Sequence, residues 1–542
     1  MNRRETDVLV VGAGPTGLAL AGFLHAHGSR VRVVERRREG RGSRAFVMHA
    51  RTLEVLAPLG VSSRLVARGD PSARARVRAG SRIVEVDLVA PGIEDTAYPF
   101  LLAIPQSVVE EELERHLDRI GFPVERGVEL TALHQTGDRV RCELRGPGGR
   151  VEHVEVPYVV GCDGADSTVR RQVGVSFPGR AYRSTLLLAD LDVDGELEPG
   201  TVHGFVGDPG ILFLFPGPGR CPWRLLTVGG HNGTPGLTDL QAIADEFTGG
   251  SLRLRDLGWA ETVRLRRGQA TEYHRGRVLL AGDAAHVHSP AAAQGMNTGI
   301  QDAANLGWKL ALAGAGVSAD RLLSSYQLER WPVARLVRHL TDLAFMAEAS
   351  GLPPLGWLRA HAAPVLLPLT GGRRLPAPAF RLLGGLSIRY RYSPLVREGT
   401  PRLGSGPHAG DRLGDAPVRY DGVPRRLHDL LRPAGHHLLL CGRTERFDPH
   451  TVSALQRASA IPLHVHRLTD RPCAGAIEDP GGRLLKRLGV DGAAAYLVRP
   501  DGYIGYRSRN IGLTALPGYL WDDRRATTGE RPTGPATGPG RE

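Results

Sequence analysis

The stretch DVLVVGAGPTG, residues 7–17, decides the fold. Residues 7–11 form a short apolar run of the kind buried on both faces of a parallel sheet. The run stops at Gly12, and Gly12-Ala13-Gly14-Pro15-Thr16-Gly17 follows, leading into LALAGFLHAHG at helical spacing. This is a strand, a glycine turn and a helix. Gly12 permits the tight turn, Gly14 lets the backbone approach a pyrophosphate, and Gly17 lets the helix pack on the strand. Thr16 opens the helix, whose free N–H groups and positive dipole end suit phosphates. A second strand, RVRVVE, ends at Glu35, 18 residues beyond Gly17. An acid there takes the two hydroxyls of an unphosphorylated adenosine ribose, which favours FAD or NAD over NADP as the tightly held ligand.

Two further phrases repeat the strand–turn–helix pattern. YVVGCDGADSTVRRQVG, residues 158–174, ends a strand at Gly161, continues through Asp163-Gly164, and starts a helix capped by Asp166 or Ser167. GRVLLAGDAAHVHSPAAAQGMNTGIQDAANLGWKLALA, residues 276–313, ends a strand at Gly282-Asp283. After Pro290 it opens a long helix at Gln294-Gly295-Met296-Asn297. The Asp283 carboxylate suits a ribityl hydroxyl. The helix dipole at 294–297 suits the pyrimidine edge of a flavin, where negative charge develops on reduction.

With GxGxxG at 12–17, DG at 163–164 and GD at 282–283 in that order, the chain resembles the aromatic-hydroxylase family of flavoprotein monooxygenases, which includes para-hydroxybenzoate hydroxylase. SRAFVMHARTLEVL at 43–56, Gln106 before a helix, and QDAANLGWKLA running on to SYQLERWPVA carry the likeness through residues 5–340. The resemblance implies FAD as cofactor, with NAD(P)H and O2 as co-substrates and a flavin C4a-hydroperoxide as oxygen donor. It implies that Glu35 holds the adenosine ribose, Arg36 lies beside the adenine, and Arg44 reaches the phrase of FAD phosphates where NAD(P)H also docks. Gln106 would sit near the ribityl chain, Asp163 would serve both FAD and NAD(P)H, and Asp283 would bind the ribityl-pyrophosphate. Pro290 opens the loop before Gly295, Met296 and Asn297, which would line the isoalloxazine. One departure stands out: Ala292 occupies the position where the family usually writes a glycine, and a methyl there restricts left-handed backbone geometry. The flavin carries the chemistry in this family, so no side chain is expected to act as acid or base. His286 and His288 read as structural or pocket-rim groups, because i,i+2 spacing divides them across a helix and no carboxylate cluster accompanies them.

The expected architecture is α/β: a Rossmann-like FAD-binding domain, an inserted β-sheet substrate domain and a C-terminal thioredoxin-like α/β domain. The FAD-binding parts fall at 1–78, 106–180 and 271–400, the last including a helical connection. The sheet segments fall at 79–105 and 181–270. In the latter, Phe213, Phe215, Trp223 and Leu225 are candidates for either substrate wall or core. From about 401, PHAGDRLGDAPV resembles the opening of the thioredoxin-like domain of larger members, such as pentachlorophenol monooxygenase and the aromatic-polyketide hydroxylases. RPDG at 499–502 reads as a tight turn, and the absence of CxxC argues against redox activity in residues 401–521. The tail 522–542 is polar, rich in Gly, Pro and Thr, and expected to be disordered.

Composition limits the alternatives. The 542 residues hold 69 basic against 57 acidic side chains, a net +12, and all the lysines are Lys309 and Lys486. Fourteen arginines lie in residues 30–82, and read as a positive approach for the anionic FAD and NAD(P)H. A nucleic-acid partner would need a basic motif that the sequence lacks. No run of about 18 apolar residues predicts a membrane span, and five scattered cysteines without CxxC spacing argue against a zinc site and for the cytoplasm. The expected activity is hydroxylation of a small aromatic, phenolic or quinonoid and of polycyclic polyketide type, by a monomer or homodimer. Baeyer–Villiger oxygenation and FAD-dependent reduction or dehydrogenation are the rival readings.

Overall fold

The computed structural model describes residues 6–39, 45–207, 210–217, 221–229, 233–290, 293–317, 319–349, 376–459 and 461–516. Arg44, Ala292 and the tail 522–542 lie outside them.

The apolar run at the N-terminus forms strand Val8–Val11, buried along its whole length. It pairs in parallel with Val31–Glu35 on one side and Tyr158–Gly161 on the other. Val278–Leu280 continues the sheet in parallel beyond Tyr158–Gly161, and Glu125–Arg126 extends the other edge. The three phrases singled out in the sequence thus end adjacent parallel strands, so their turns open side by side at one sheet edge. Helix Pro15–Ala26 covers this sheet together with helix Gln294–Gly314, which is buried from Met296 to Ala313. Its polar stripe of Asn297, Asp302, Asn305 and Lys309 is buried too, because each of these side chains is hydrogen-bonded.

The middle of the chain builds an eight-stranded sheet in the order His286–Val287, Arg253–Gln269, Gly179–Asp194, Trp223–Gly229, Gly210–Pro216, Thr201–Gly207, Arg74–Ala79 and Arg82–Asp87. Strand Arg74–Ala79 already belongs to it, so this sheet takes up chain before residue 79. Period-two alternation separates its faces. Leu212, Leu214, Trp223 and Leu225 pack under helix Leu237–Thr248. Phe213 and Phe215 point to the opposite face, where Phe215 joins Phe46, Tyr182, Leu186, Trp259 and Phe345. Of the four residues with two possible roles, Trp223 and Leu225 are therefore core, and the two phenylalanines face the cofactor-binding part.

The C-terminal unit is a mixed eight-stranded sheet with His436–Gly442 near its centre, flanked by Ala493–Val498 and Leu463–Thr469. The chain is therefore of the α/β class throughout. The Arg499–Gly502 phrase is a tight turn, closed by a bond from Gly502 N–H to the Arg499 carbonyl at 2.8 Å. It also docks the unit. Arg499, fully buried, forks onto Glu329 at 2.7 and 2.8 Å, and Glu329 accepts from Lys309 Nζ at 2.8 Å. A second buried contact joins Arg412 to Glu54 at 2.6 and 2.8 Å.

Several side chains of the arginine-rich stretch are neutralised by carboxylates, while Arg36 and Arg37 line the cleft described below. Arg32 pairs with Glu125 and Glu152, Arg51 with Glu54, Arg64 and Arg68 with Glu112, Arg74 with Asp87, and Arg76 with Glu198. Apart from the Arg51–Glu54 pair, which lies within one helix, the carboxylates come from other elements. Among the described residues no helix is long and apolar enough to cross a membrane, and none of the five cysteines is in a disulfide.

Candidate functional site

The turns at the ends of the parallel strands enclose a cleft of about 1200 Å³. Its lining runs from Glu35, Arg36 and Arg37, past Gly12, Gly14 and Thr16, to Asp163, Asp283, Gly295 and Met296, with Gln106 alongside. Sequence positions 271 residues apart, Gly12 and Asp283, are thus brought to one wall.

Each glycine of the first turn has a separate physical reason. Gly12 has φ +106°, and a Cβ there would stand 2.4 Å from the Cys162 carbonyl oxygen. At Gly17 a Cβ would meet the Gly12 carbonyl oxygen at 2.0 Å, so the glycine is what lets the helix sit on the turn. A Cβ at Gly14 would meet nothing within 4 Å. It would project beside the helix N-terminus in the cleft wall, where a pyrophosphate needs close backbone approach. A dinucleotide cofactor fits this cradle: bare backbone in the middle, a carboxylate at one end and a second helix start at the other.

Glu35 is oriented for its role. Its carboxylate accepts from the Ala13 N–H and the Arg37 N–H, both at 3.0 Å. These bonds tie the second strand to the glycine turn and fix the acid at the cleft end. Asp283 follows Gly282, whose φ of +61° turns the chain sharply. Its side chain is exposed in the cleft wall. Gln106 donates to Glu110 at 2.8 Å, and burial raises the Glu110 carboxyl above its ordinary range.

Other expected residues have different surroundings. Asp163 lines the cleft, yet its carboxylate accepts from Ser167 Oγ at 2.5 Å and from the Thr168 and Val169 N–H groups at 2.6 and 3.1 Å. It caps helix Thr168–Gln172. Burial pushes its carboxyl upward, against the downward pull of those bonds. Asn297 is fully buried, not at the cleft surface. Its Oδ1 accepts from the His49 N–H at 2.8 Å, and its Nδ2 donates to the Val47 and Ala293 carbonyls at 2.9 Å. It ties the start of the long helix to the Val47–Met48 strand. Pro290 is half-buried and, like Gly17, does not line the cleft. Arg44 and Ala292 lie outside the described residues. Ala293, the residue after Ala292, holds φ +51°, a left-handed conformation, immediately before the helix. A non-glycine residue there carries about 1–2 kcal/mol of strain.

Several contributors escaped the sequence reading. Gly299 is one: it closes on the expected residue Thr16, where a Cβ at Gly299 would stand 2.2 Å, and one at Gly282 2.5 Å, from the Thr16 Oγ1. Asp302, fully buried, accepts from the Gly282 N–H at 3.1 Å, from Arg330 at 2.6 Å, and meets His286 Nε2 at 2.6 Å. It holds the turn that carries Asp283. Arg170 donates to the Ala284 and Ala165 carbonyls at 2.8 and 2.7 Å, joining the second turn to the third. In sequence these are a helix glycine, an acid in a helix and a surface-looking arginine, with no local signal to mark them.

His286 and His288 also depart from expectation. They lie on and just after strand His286–Val287, where i,i+2 places side chains on one face. Their rings are parallel, 6.4 Å apart. The aromatic face of the large sheet adjoins the same region: Phe46 stacks on Phe215 at 5.0 Å and precedes the Val47–Met48 strand that Asn297 holds. Arg224, paired with Asp190, lies over the Phe46 ring at 4.9 Å.

Comparison with known proteins agrees with this geometry. Residues 5–341 match a family model described as an FAD binding domain, and residues 406–520 match one described as the C-terminal part of aromatic-ring hydroxylases. The chain is 35% identical to 6-methylpretetramide 4-monooxygenase of Streptomyces rimosus, over 95% of this chain and 93% of that protein. It resembles the solved anhydrotetracycline hydroxylase from Streptomyces rimosus at 31% identity and a TM-score of 0.75, covering 95% and 98% of the two chains. It also resembles aklavinone-11 hydroxylase, solved with FAD and aklavinone, at 26% identity and a TM-score of 0.75, covering 96% and 99%.

Proposed function

Because the chain belongs to the family of FAD-dependent aromatic-ring monooxygenases, we propose that it hydroxylates a phenolic or quinonoid polycycle of polyketide type, with NAD(P)H as reductant and O2 as oxidant. The observation that carries this reading is the juxtaposition of two surfaces. One is the glycine-walled cleft with Glu35 at one end and Gly295-Met296 at the other. The second is an aromatic face of Phe46, Tyr182, Phe215, Trp259 and Phe345 on the adjoining sheet. FAD, when bound, supplies the redox chemistry, taking electrons from NAD(P)H and passing one oxygen atom of O2 to the substrate ring.

The chain's own residues hold and enclose. Glu35 binds the adenosine ribose, Gly12 to Gly14 and the first helix N-terminus bind the pyrophosphate, and Asp283 binds the ribityl-pyrophosphate segment. Arg36 lies beside the adenine. Gly295 and Met296 flank the isoalloxazine, with the helix dipole behind them favouring the charge that reduction places there. Asn297 and Asp302 fix these groups without touching the cofactor. The aromatic face offers a large flat ring system apolar contact and keeps water away, which protects a reactive oxygen donor from hydrolysis. The relatives named for tetracycline precursors and the neighbour solved with aklavinone support a polycyclic substrate.

The test is a substrate screen on the FAD-loaded protein with phenols, naphthoquinones and polycyclic polyketides. Stimulated NAD(P)H oxidation with a product one oxygen heavier is expected, and the product's structure separates ring hydroxylation from oxygen insertion beside a ketone. Stimulation without oxygen in the product would sink the reading.

A further inference from the structure

Among the described residues, the seam between the cofactor cleft and the aromatic face holds buried ring nitrogens without a hydrogen-bond partner, His286 Nδ1 and, nearer the cleft turn, His288 Nε2. His288 follows strand His286–Val287, the edge of the large sheet, and precedes the helix that starts at Gln294. Its Nδ1 lies 3.0 Å from the Ser289 carbonyl oxygen. A carbonyl can only accept, so this contact places the proton on Nδ1 and leaves Nε2 as a bare lone pair. That Nε2 is buried and has no hydrogen-bond partner. An unsatisfied buried acceptor is costly, and each one in a native structure calls for a reason.

The surroundings supply one. On the cleft side, the ring's Cε1 lies 3.9 Å from where a Cβ on Gly295 would stand, and Gly295 lines the cofactor cleft. On the sheet side, the next residue, Ser289, donates through its Oγ to the Thr341 carbonyl at 2.9 Å, one residue before Asp342. Asp342 is bonded by the Tyr182 hydroxyl and by Arg267 at 2.7 Å, and the Tyr182 ring packs on Phe345 at 4.6 Å. The imidazole therefore lies between the flavin end of the cleft and the aromatic wall. The titratable and charged groups that face it are His286 beside it, Asp283 on the cofactor turn and Asp342 on helix Ala319–Ala349, the last already engaged by Tyr182 and Arg267. Burial holds the imidazole below its ordinary titration range, so at neutral pH it stays an acceptor.

We propose that His288 Nε2 accepts a hydrogen bond from a hydroxyl of the aromatic substrate and so sets which ring carbon faces the flavin. This rests on the reading of the site as a phenol-hydroxylating one and adds a specificity-determining residue to it. Apolar walls bind flat rings with little regard to orientation, whereas a single buried acceptor penalises every pose that leaves it unpaired.

The probes are 2-hydroxyanthraquinone and anthraquinone, titrated into FAD-loaded protein and followed through the flavin absorption spectrum. Wild type should bind the hydroxylated probe about 10- to 100-fold more tightly. His288→Phe keeps a ring and removes the acceptor, and should bind both probes alike. His288→Gln returns an acceptor oxygen and should recover part of the preference, and it carries the test if the Phe variant does not fold. A substrate that wild type converts to one product should give mixed regioisomers with either variant. Undiminished preference for the hydroxylated probe in His288→Phe or His288→Gln would overturn the assignment. So would loss of the preference together with loss of FAD, which would make His288 a cofactor residue. Failure of both probes, and of every phenol in the screen, to bind wild type would instead refute the substrate class, and this inference with it.

Discussion

Thr16 is the wedge on which three parts of the cofactor cleft close, and replacing Gly299 by alanine tests that packing. The new Cβ would stand 2.2 Å from Thr16 Oγ1 and 3.3 Å from the Gly282 Cα. Threonine is stiff at χ1, so rotation brings a methyl into the space that the hydroxyl leaves. Overpacking of this kind costs roughly 1–3 kcal/mol, and so close an approach belongs near the upper end. Alanine returns about 1 kcal/mol of helix propensity over glycine. The net loss is about 2 kcal/mol, which is roughly 30-fold in FAD dissociation constant if the strain is relieved when the cofactor leaves. Thr16→Ala removes the opposing group. In a double-mutant cycle the two substitutions should therefore couple favourably, by about 3 kcal/mol, the whole of the strain, whatever Thr16→Ala does alone. The assay is recovery of flavin fluorescence on dilution, measured for wild type, both single variants and the double variant. Wild-type FAD affinity in Gly299→Ala, or strictly additive effects in the double variant, would refute the wedge.

Further outcomes follow from the same geometry. Asp283→Ala should purify colourless or lose FAD readily, and normal flavin content would remove that carboxylate from the site. Glu35→Ala should weaken FAD by roughly 1–3 kcal/mol, since it removes both the ribose partner and the tie to the glycine turn; equilibrium dialysis reads the change, and unaltered affinity counts against the adenosine placement. Arg499→Met leaves buried Glu329 with Lys309 as its charged partner beside the neutral donors Asn305 and Ser393, and should destabilise the fold by about 3 kcal/mol, at the low end for a broken buried pair; an unchanged urea midpoint contradicts the docking described. Burial lowers His437 to about 3, helped by His466. The unfolded chain therefore binds a proton that the folded chain does not between about pH 3 and 6.5, and stability falls as pH drops through that window, by up to about 1.4 kcal/mol per pH unit. His437→Asn should flatten the acid limb of the stability profile, and an identical slope would refute this.

The cofactor half of the site was largely readable because its logic is local. Gly12, Gly14 and Gly17 have distinct tasks set by a few neighbouring backbone atoms, and Glu35 ends the next strand. The remainder depends on which distant elements meet. Gly299 is an ordinary helix glycine until Thr16, far away in sequence, is placed against it. Asp163 lines the cleft as its position suggests, and its oxygens also cap a helix starting five residues later, a second task with no local signal. Asn297 follows the cleft residues Gly295 and Met296, yet helical rotation turns it inward to His49 and Val47. The neutralisation of Arg32, Arg64, Arg68 and Arg76 was not legible because their partners, Glu112, Glu125, Glu152 and Glu198, lie on elements far along the chain. His286 and His288 were read on a helical period, and a two-residue strand instead places them on one face.

The central claim is that this chain uses FAD to place one atom of O2 on an aromatic ring, and isotope labelling tests it most directly. FAD-loaded protein, NAD(P)H and the best-stimulating polycyclic phenol are incubated under 18O2, and the product is read by mass spectrometry. The account predicts one heavy oxygen in the product, on a ring carbon, and none when the label is supplied as water. NAD(P)H oxidation that proceeds without O2, or a product without label, would contradict it and make the protein a reductase on a hydroxylase scaffold.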